Sequence, residues 1–295
     1  MQWVNDVIEG ILTGGLYALF ACGLSLMFGV MKVVNLAHGD LAVVGGYVAL
    51  GVIAITHVPV LASFLIVVPL MAILGYALQR TVIQASLNRG ILTTLLVTFG
   101  LSVVIENGLL QFVNADDHSL GVNNVIVSGA FTITSQIKLP YLLLLVFAVA
   151  VVVLLGLQYF LSSSKQGRLI RAVADDREAA QLAGADYRHV FGIAAAIAFA
   201  TVALAGIAYG MYTSFDPTSG TTALLLLFAF EAVVIGGLGS LWGTLAGGIL
   251  LGVVQQLGAQ INSNDQVLAG QLLFLLVLLV LPQGLTSIRR PAWVR

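Results

Sequence analysis

Long apolar runs separated by short polar breaks set the pattern of this chain. A helix needs about 20 mainly apolar residues to cross a bilayer. On that basis nine runs are candidates: 7–30, 41–56, 59–79, 91–113, 140–161, 190–212, 222–237, 242–256 and 267–281. The runs at 41–56, 222–237 and 242–256 are short, and read as tilted, broken or re-entrant. The pattern therefore predicts an all-α polytopic membrane protein with about nine transmembrane helices, eight to ten in range. A transmembrane barrel would instead alternate apolar and polar residues over segments of about ten, whereas these runs are continuous.

Composition strengthens that reading. The chain is 59% hydrophobic and 8% charged, against roughly 25% charged in an ordinary soluble domain. The 32 glycines fit membrane helices whose backbones approach closely. Cys22, the one cysteine, lies inside the first run, so no intrachain disulfide is available. The first residues lack the basic n-region of a signal peptide, so the first run is expected to stay in the mature protein. A net charge of -1, with no basic face outside the loops, gives no reason to expect nucleic acid as a partner.

Lys and Arg placement sets the expected orientation. With nine spans, Lys32, Arg80, Arg89, Lys165, Arg168, Arg171, Arg177, Arg188, Arg289, Arg290 and Arg295 fall on one side, and only Lys138 on the other. This predicts a periplasmic N-terminus and a cytoplasmic C-terminus. No soluble domain interrupts the chain, so residues 1–295 read as one transmembrane domain with two long polar intervals, 162–189 inside and 114–139 outside. In the outer interval, VIVSGAFTITSQIKL alternates around Ser128-Gly129 in a hairpin-like pattern, either a lid or docking surface or a packed connector.

The inner interval carries a short helix with marked ends. Asp175 is placed to cap it, with Glu178 three residues on in a capping-box variant. Gly184 supplies the left-handed residue that ends it. Ala179, Ala180, Leu182 and Ala183 give it a small, smooth face suited to a partner's groove, although an ordinary solvated loop helix has the same spacing.

Polar residues within or between the apolar runs are the candidates for a translocation path. Asn35, His38 and Gly39 lie in the break NLAHGD, which reads either as a broken helix facing a path or as a turn capped by Asn35 and Asp40. Glu106 and Glu231 sit well inside apolar runs, where an ionised side chain is expensive and functional by default. Either could instead pair at a helix contact. Gly236 and Gly237 begin a tight GGLGSLWGT turn that no Lys follows at P-loop spacing. No catalytic constellation or metal-ligand spacing is present, and no nucleotide-binding domain, so ATP-driven transport would need a separate ATPase subunit.

Three stretches resemble the branched-chain amino acid ABC permeases of the LivH type. They are GLSLMFGVMKVVNLAHGDLAVVGGYVALG at 23–51, GRLIRAVADDREAAQLAGAD at 167–186, and FEAVVIGGLGSLWGTLAGGILLG at 230–252. The resemblance implies an ABC importer permease fold in a bacterial inner membrane. It implies as partners a second homologous permease, two cytoplasmic ATP-binding subunits that use the ATP and Mg, and a periplasmic substrate-binding protein. No cofactor is expected in this chain. Glu178, Ala179, Ala180 and Gly184 match the E-A-A-x-x-x-G coupling motif, which with Asp175 and Arg177 would sit in an ATPase cleft. The I-x-L-P ending of the wider importer motif is not kept, since Ala194, Ala196 and Ile197 stand there. Relatives of the family handle urea or short amides, so that substrate class is the alternative. A proton-coupled transporter using Glu106 or Glu231, or a passive channel, would need no coupling helix.

Overall fold

The computed structural model describes residues 2–113, 116–121, 129–134 and 137–286. Helices α1 (Gln2–Met31) and α2 (His38–Thr56) lead into α3 (Val60–Leu78), which continues through a π-helical turn (Gln79–Ile83) into α4 (Gln84–Leu87). After α5 (Ile91–Val113) comes a hairpin of β1 (Ala130–Thr134) and β2 (Ile137–Pro140). Then follow α6 (Tyr141–Ser163), α7 (Lys165–Asp175), α8 (Arg177–Leu182), α9 (Tyr187–Tyr212), α10 (Ser219–Gly236), α11 (Leu241–Ile261) and α12 (Gln266–Val280). Among the described residues, eight helical stretches are long and apolar enough to cross a membrane, and Gly220–Gly236 is a shorter apolar helix. Each of the nine predicted runs falls on one of them. The chain is a multi-pass, all-α membrane protein.

Helices α1 and α9 form the centre. Leu16, Leu19, Phe20 and Leu24 of α1 and Phe199 and Ile207 of α9 are almost completely buried. Because lipid is as apolar as a leucine side chain, association here depends on close packing rather than on a hydrophobic drive. Glycine supplies it. Gly10 and Gly14 of α1 meet Gly248 and Gly252 of α11, two glycine pairs each spaced by four. A Cβ on Gly14 would stand 2.5 Å from the Ile249 Cα, and one on Gly248 2.7 Å from the Gly14 carbonyl oxygen. The backbones touch, and no side chain fits between them.

The break between α1 and α2 is folded inward. Lys32 takes a left-handed conformation (φ 57°) at the end of α1 and reverses the chain. Residues 33–37 then run back along α1, and the His38 Nε2 hydrogen-bonds the Phe20 carbonyl at 2.8 Å. Phe20 lies eleven residues before Met31, about 16 Å of helix rise. Helix α2 therefore starts roughly halfway along α1 rather than at its end. Its first turn abuts α10, since a Cβ on Gly39 would collide with the Thr222 carbonyl.

One end of the bundle carries α7, α8, Arg80 and Arg89, and is called here the basic end. Ser164 caps α7 by accepting from the Gly167 N–H at 2.8 Å. Ile170 and Val173 of α7 are buried against the bundle. At the opposite end, residues 116–121 pack down as a connector. His118 and Phe215 exchange backbone hydrogen bonds of 2.9 Å, and the Leu120 N–H donates to the Gly210 carbonyl at 2.8 Å. The hairpin differs from the sequence expectation. Ala130 pairs with Pro140 and Thr134 with Ile137, so the paired strands both follow Gly129 rather than flanking it. Ser128 lies outside the described residues.

Candidate functional site

The polar groups that the apolar pattern isolates gather into a seam along α5. Thr94, Thr98, Ser102 and Glu106 recur every fourth residue of this helix, and of its 23 residues only Thr94 and Thr98 are buried. The Thr98 hydroxyl accepts from the Leu36 N–H at 3.3 Å. Asn35, 1% exposed, accepts through its Oδ1 from the Ala37 N–H at 3.1 Å, while its Nδ2 finds no partner. Asp40, 2% exposed, faces Ser102 of α5 and Thr222 of α10, with Glu106 close enough to interact electrostatically. Its Oδ1 is unpartnered. The inward fold of the 33–37 segment thus brings Asn35, His38, Gly39 and Glu106 into one region.

A cavity of about 260 Å³ opens below this seam at the basic end. Lys32, Gly90, Thr94, Val173, Arg177 and Phe191 are among the residues lining it. Arg177 ties the cavity wall to its surroundings. Its guanidinium lies 3.7 Å from the Tyr187 ring centroid, and its Nη2 donates to the Asn88 Oδ1 at 3.1 Å. The first residue of α8 therefore grips both the start of α9 and the corner that precedes α5.

Helix α8 is the short helix expected in the 162–189 interval, with one correction. Its cap is Asp176, whose Oδ1 accepts from the Glu178 and Ala179 N–H groups at 2.9 and 3.0 Å. Asp175 is instead the last residue of α7, because the burial of Ile170 and Val173 carries that helix one residue further. Glu178 consequently stands at the second helical position, and the capping box does not form. Gly184 does take the left-handed region (φ 91°), and no atom lies within 4 Å of where its Cβ would be. The small face is split. Ala180 is turned into the protein, whereas Glu178, Ala179, Ala183 and Leu182 are exposed, Leu182 at 91%.

Glu231, Gly236 and Gly237 are placed elsewhere. Glu231, 1% exposed, sits in the wedge of α1, α10 and α11 with neither carboxyl oxygen partnered. Nearby, the Tyr17 hydroxyl donates to the Gln255 Oε1 at 2.6 Å, and the Tyr17 and Phe228 rings are 5.0 Å apart. Gly236 packs backbone to backbone on Gly243, and Gly237 (φ 107°) turns the chain between α10 and α11 beside Thr286. Asp40 is the central residue of the seam. The sequence reading treated it only as a turn cap, together with Asn35. Its signal in the sequence is a carboxylate two residues beyond a histidine, at the start of an apolar run. Among the described residues, no group of His, Cys, Asp and Glu could hold a metal.

This is the architecture of a membrane transport permease: a polytopic helical bundle with an interior polar seam. A family profile described as the permease component of the branched-chain amino acid transport system matches residues 7–281, and the chain belongs to that family. It is 29% identical to the high-affinity branched-chain amino acid transport system permease protein BraD of Pseudomonas aeruginosa, over 96% of this chain and 95% of the relative. It is 27% identical to the corresponding LivH protein of Escherichia coli K12, over 97% and 96% of the two. A fructose import permease, FrcC of Rhizobium meliloti, is 35% identical over 45% of this chain and 39% of its own length. No solved structure matches the chain significantly.

Proposed function

We propose that this chain is the membrane-spanning subunit of an ATP-driven importer for branched-chain amino acids. The observation that carries the proposal is the placement of α8. It projects Glu178, Ala179 and Leu182 away from the bundle, while Arg177 binds it to Tyr187 and Asn88 at the edge of the cavity. A helix held in this way can take a push from a partner and pass it to α5 and α9. In this reading the basic end faces the cytoplasm of a bacterial inner membrane, in accord with the asymmetry of Lys and Arg. The 114–139 interval then faces the periplasm, and residues 1–295 act as one permease domain.

The partners follow from that role. Two cytoplasmic ATPases supply the hydrolysis of ATP with Mg, a second homologous permease completes the path, and a periplasmic binding protein delivers substrate. The path runs along Asn35, His38, Gly39 and Glu106, with the cavity as its inner mouth. The test is uptake of labelled leucine and of urea by proteoliposomes holding the assembled complex, with ATP inside and binding protein outside. ATP-dependent leucine uptake supports the reading. Urea uptake in its place would change the substrate class, and uptake by this chain without ATPases would overturn the mechanism.

A further inference from the structure

We propose that the junction of α2, α5 and α10 is a recognition site for the charged head of an α-amino acid, with Asp40 and Glu106 receiving its ammonium and Asn35 its carboxylate. The proposal rests on the transport reading above and adds the residues that tell a zwitterion from other small solutes.

Two features converge at this junction. Helix α2 begins there, and Asp40 stands in its first turn, where the partial positive charge of the helix end holds its carboxyl. Independently, Asn35 and Asp40 are both more than nine-tenths buried, and each keeps one polar atom unpartnered: the Asn35 Nδ2, a donor, and the Asp40 Oδ1, an acceptor. Buried polar atoms are almost always hydrogen-bonded, and leaving one unmade is costly. An unused donor and an unused acceptor beside a second carboxyl call for a ligand that is both acceptor and cation. An α-amino acid offers those two groups on one carbon.

The surroundings suit a site that is closed in this conformation. Thr94, at the foot of the α5 seam, also lines the cavity at the basic end. Since α5 buries little of itself, displacing it costs little packing and would uncover Asp40 and Asn35 together. Gly39, pressed against the Thr222 carbonyl, fixes the α2 start against α10 as the stationary wall.

Ligand-induced stabilisation of the assembled complex, without binding protein, tests the site separately from uptake. The probes are leucine, 4-methylpentanoate (no ammonium) and isopentylamine (no carboxylate). Leucine is expected to raise the Tm of the complex, and the other two to leave it unchanged at equal concentration. Asp40→Asn should raise the half-saturating leucine concentration by about tenfold or more, as loss of a buried charged partner does. The half-buried Glu106→Gln provides a second variant if Asp40→Asn does not assemble, and the same direction is expected. Equal stabilisation by all three probes, or leucine half-saturation within about twofold of the parent in the assembling variants, would overturn the site. If the parent complex still accumulates leucine under ATP in that event, the transport reading survives alone. A parent complex without ATP-dependent uptake would sink that reading instead.

Discussion

Glu231 and Asp40 are acidic residues buried to almost the same degree, 1% and 2% exposed, yet they lie in regions built in opposite ways. On the Glu231 side, α11 meets α1 at Gly10 and Gly14 and α10 at Gly236 through glycine contacts that leave no room for a side chain, and the Tyr17 and Phe228 rings pack on one another. Around Asp40, a helix starts in the interior, hydroxyls of α5 and α10 face the carboxyl, and the covering helix is largely unburied. The difference teaches that equal burial can come from opposite kinds of packing. What separates the two regions is the wall beside the carboxyl, glycine-tight near Glu231 and, beside Asp40, a helix with only two buried residues.

The strongest way to break this comparison is to force the rigid side apart. Gly14→Leu would place a branched side chain where the Ile249 Cα already stands 2.5 Å from a hypothetical Cβ. Overpacking typically costs about 1–3 kcal/mol, and this site lies at the upper end because the contact is backbone and cannot yield. The expected outcome is little or no folded protein in the membrane, read as loss of a monodisperse peak in detergent. Normal yield and an unshifted thermal transition would show that α1 and α11 are not a rigid spine.

Gly184 sharpens the same contrast at the surface. Its left-handed backbone meets no neighbour within 4 Å, so Gly184→Leu should cost only about 1–2 kcal/mol of local conformational energy and leave the fold standing. ATP-driven uptake is expected to fall steeply, while Gly184→Asn, which tolerates this region better, should retain more of it. Equal uptake by both variants and the parent would remove α8 from the coupling role.

Arg177 gives a smaller, more selective effect. Arg177→Ala removes the stack on Tyr187 and the bond to Asn88, a loss of about 1–2 kcal/mol. The assembled complex should keep hydrolysing ATP while transporting less leucine per ATP. Arg177→Lys should not restore the ratio, because an ammonium lacks the planar fork that stacks and donates together. An unchanged transport-to-hydrolysis ratio in Arg177→Ala would mean that α8 acts through other contacts.

The two regions also differ in how far the sequence revealed them. Among the described residues, the apolar runs located every helix long enough to cross a membrane, because a bilayer-crossing segment must satisfy its own backbone and shed its charges. They did not give the depth of Asn35–Asp40, which is set by the contact of His38 with Phe20, eighteen residues earlier in the chain. A run that begins at a polar break reads the same whether that break lies at the surface or in the interior. Nor could two adjacent aspartates reveal which one caps α8. Burial of Ile170 and Val173 decides it, and burial depends on the tertiary fold. The glycine spine was visible only as composition, since Gly10 and Gly14 gain their meaning from partners more than 230 residues away.

The smallest effect belongs to Glu231. Glu231→Gln preserves the volume and removes a group with no hydrogen-bond partner at either oxygen. Replacing a buried, unpaired carboxyl with a neutral amide should leave stability unchanged or slightly raised, within about 1 kcal/mol. Leucine uptake should stay within about twofold of the parent at every external pH, because the path proposed above runs along the Asp40 seam and leaves the glycine-packed wedge closed. A proton relay through this carboxyl predicts the opposite, since an amide cannot release and regain a proton and uptake would collapse. Measuring the two variants side by side, Asp40→Asn and Glu231→Gln, therefore decides the comparison. If both impair uptake equally, the movable wall is not what distinguishes a functional buried acid here, and the wedge of α1, α10 and α11 must open as well.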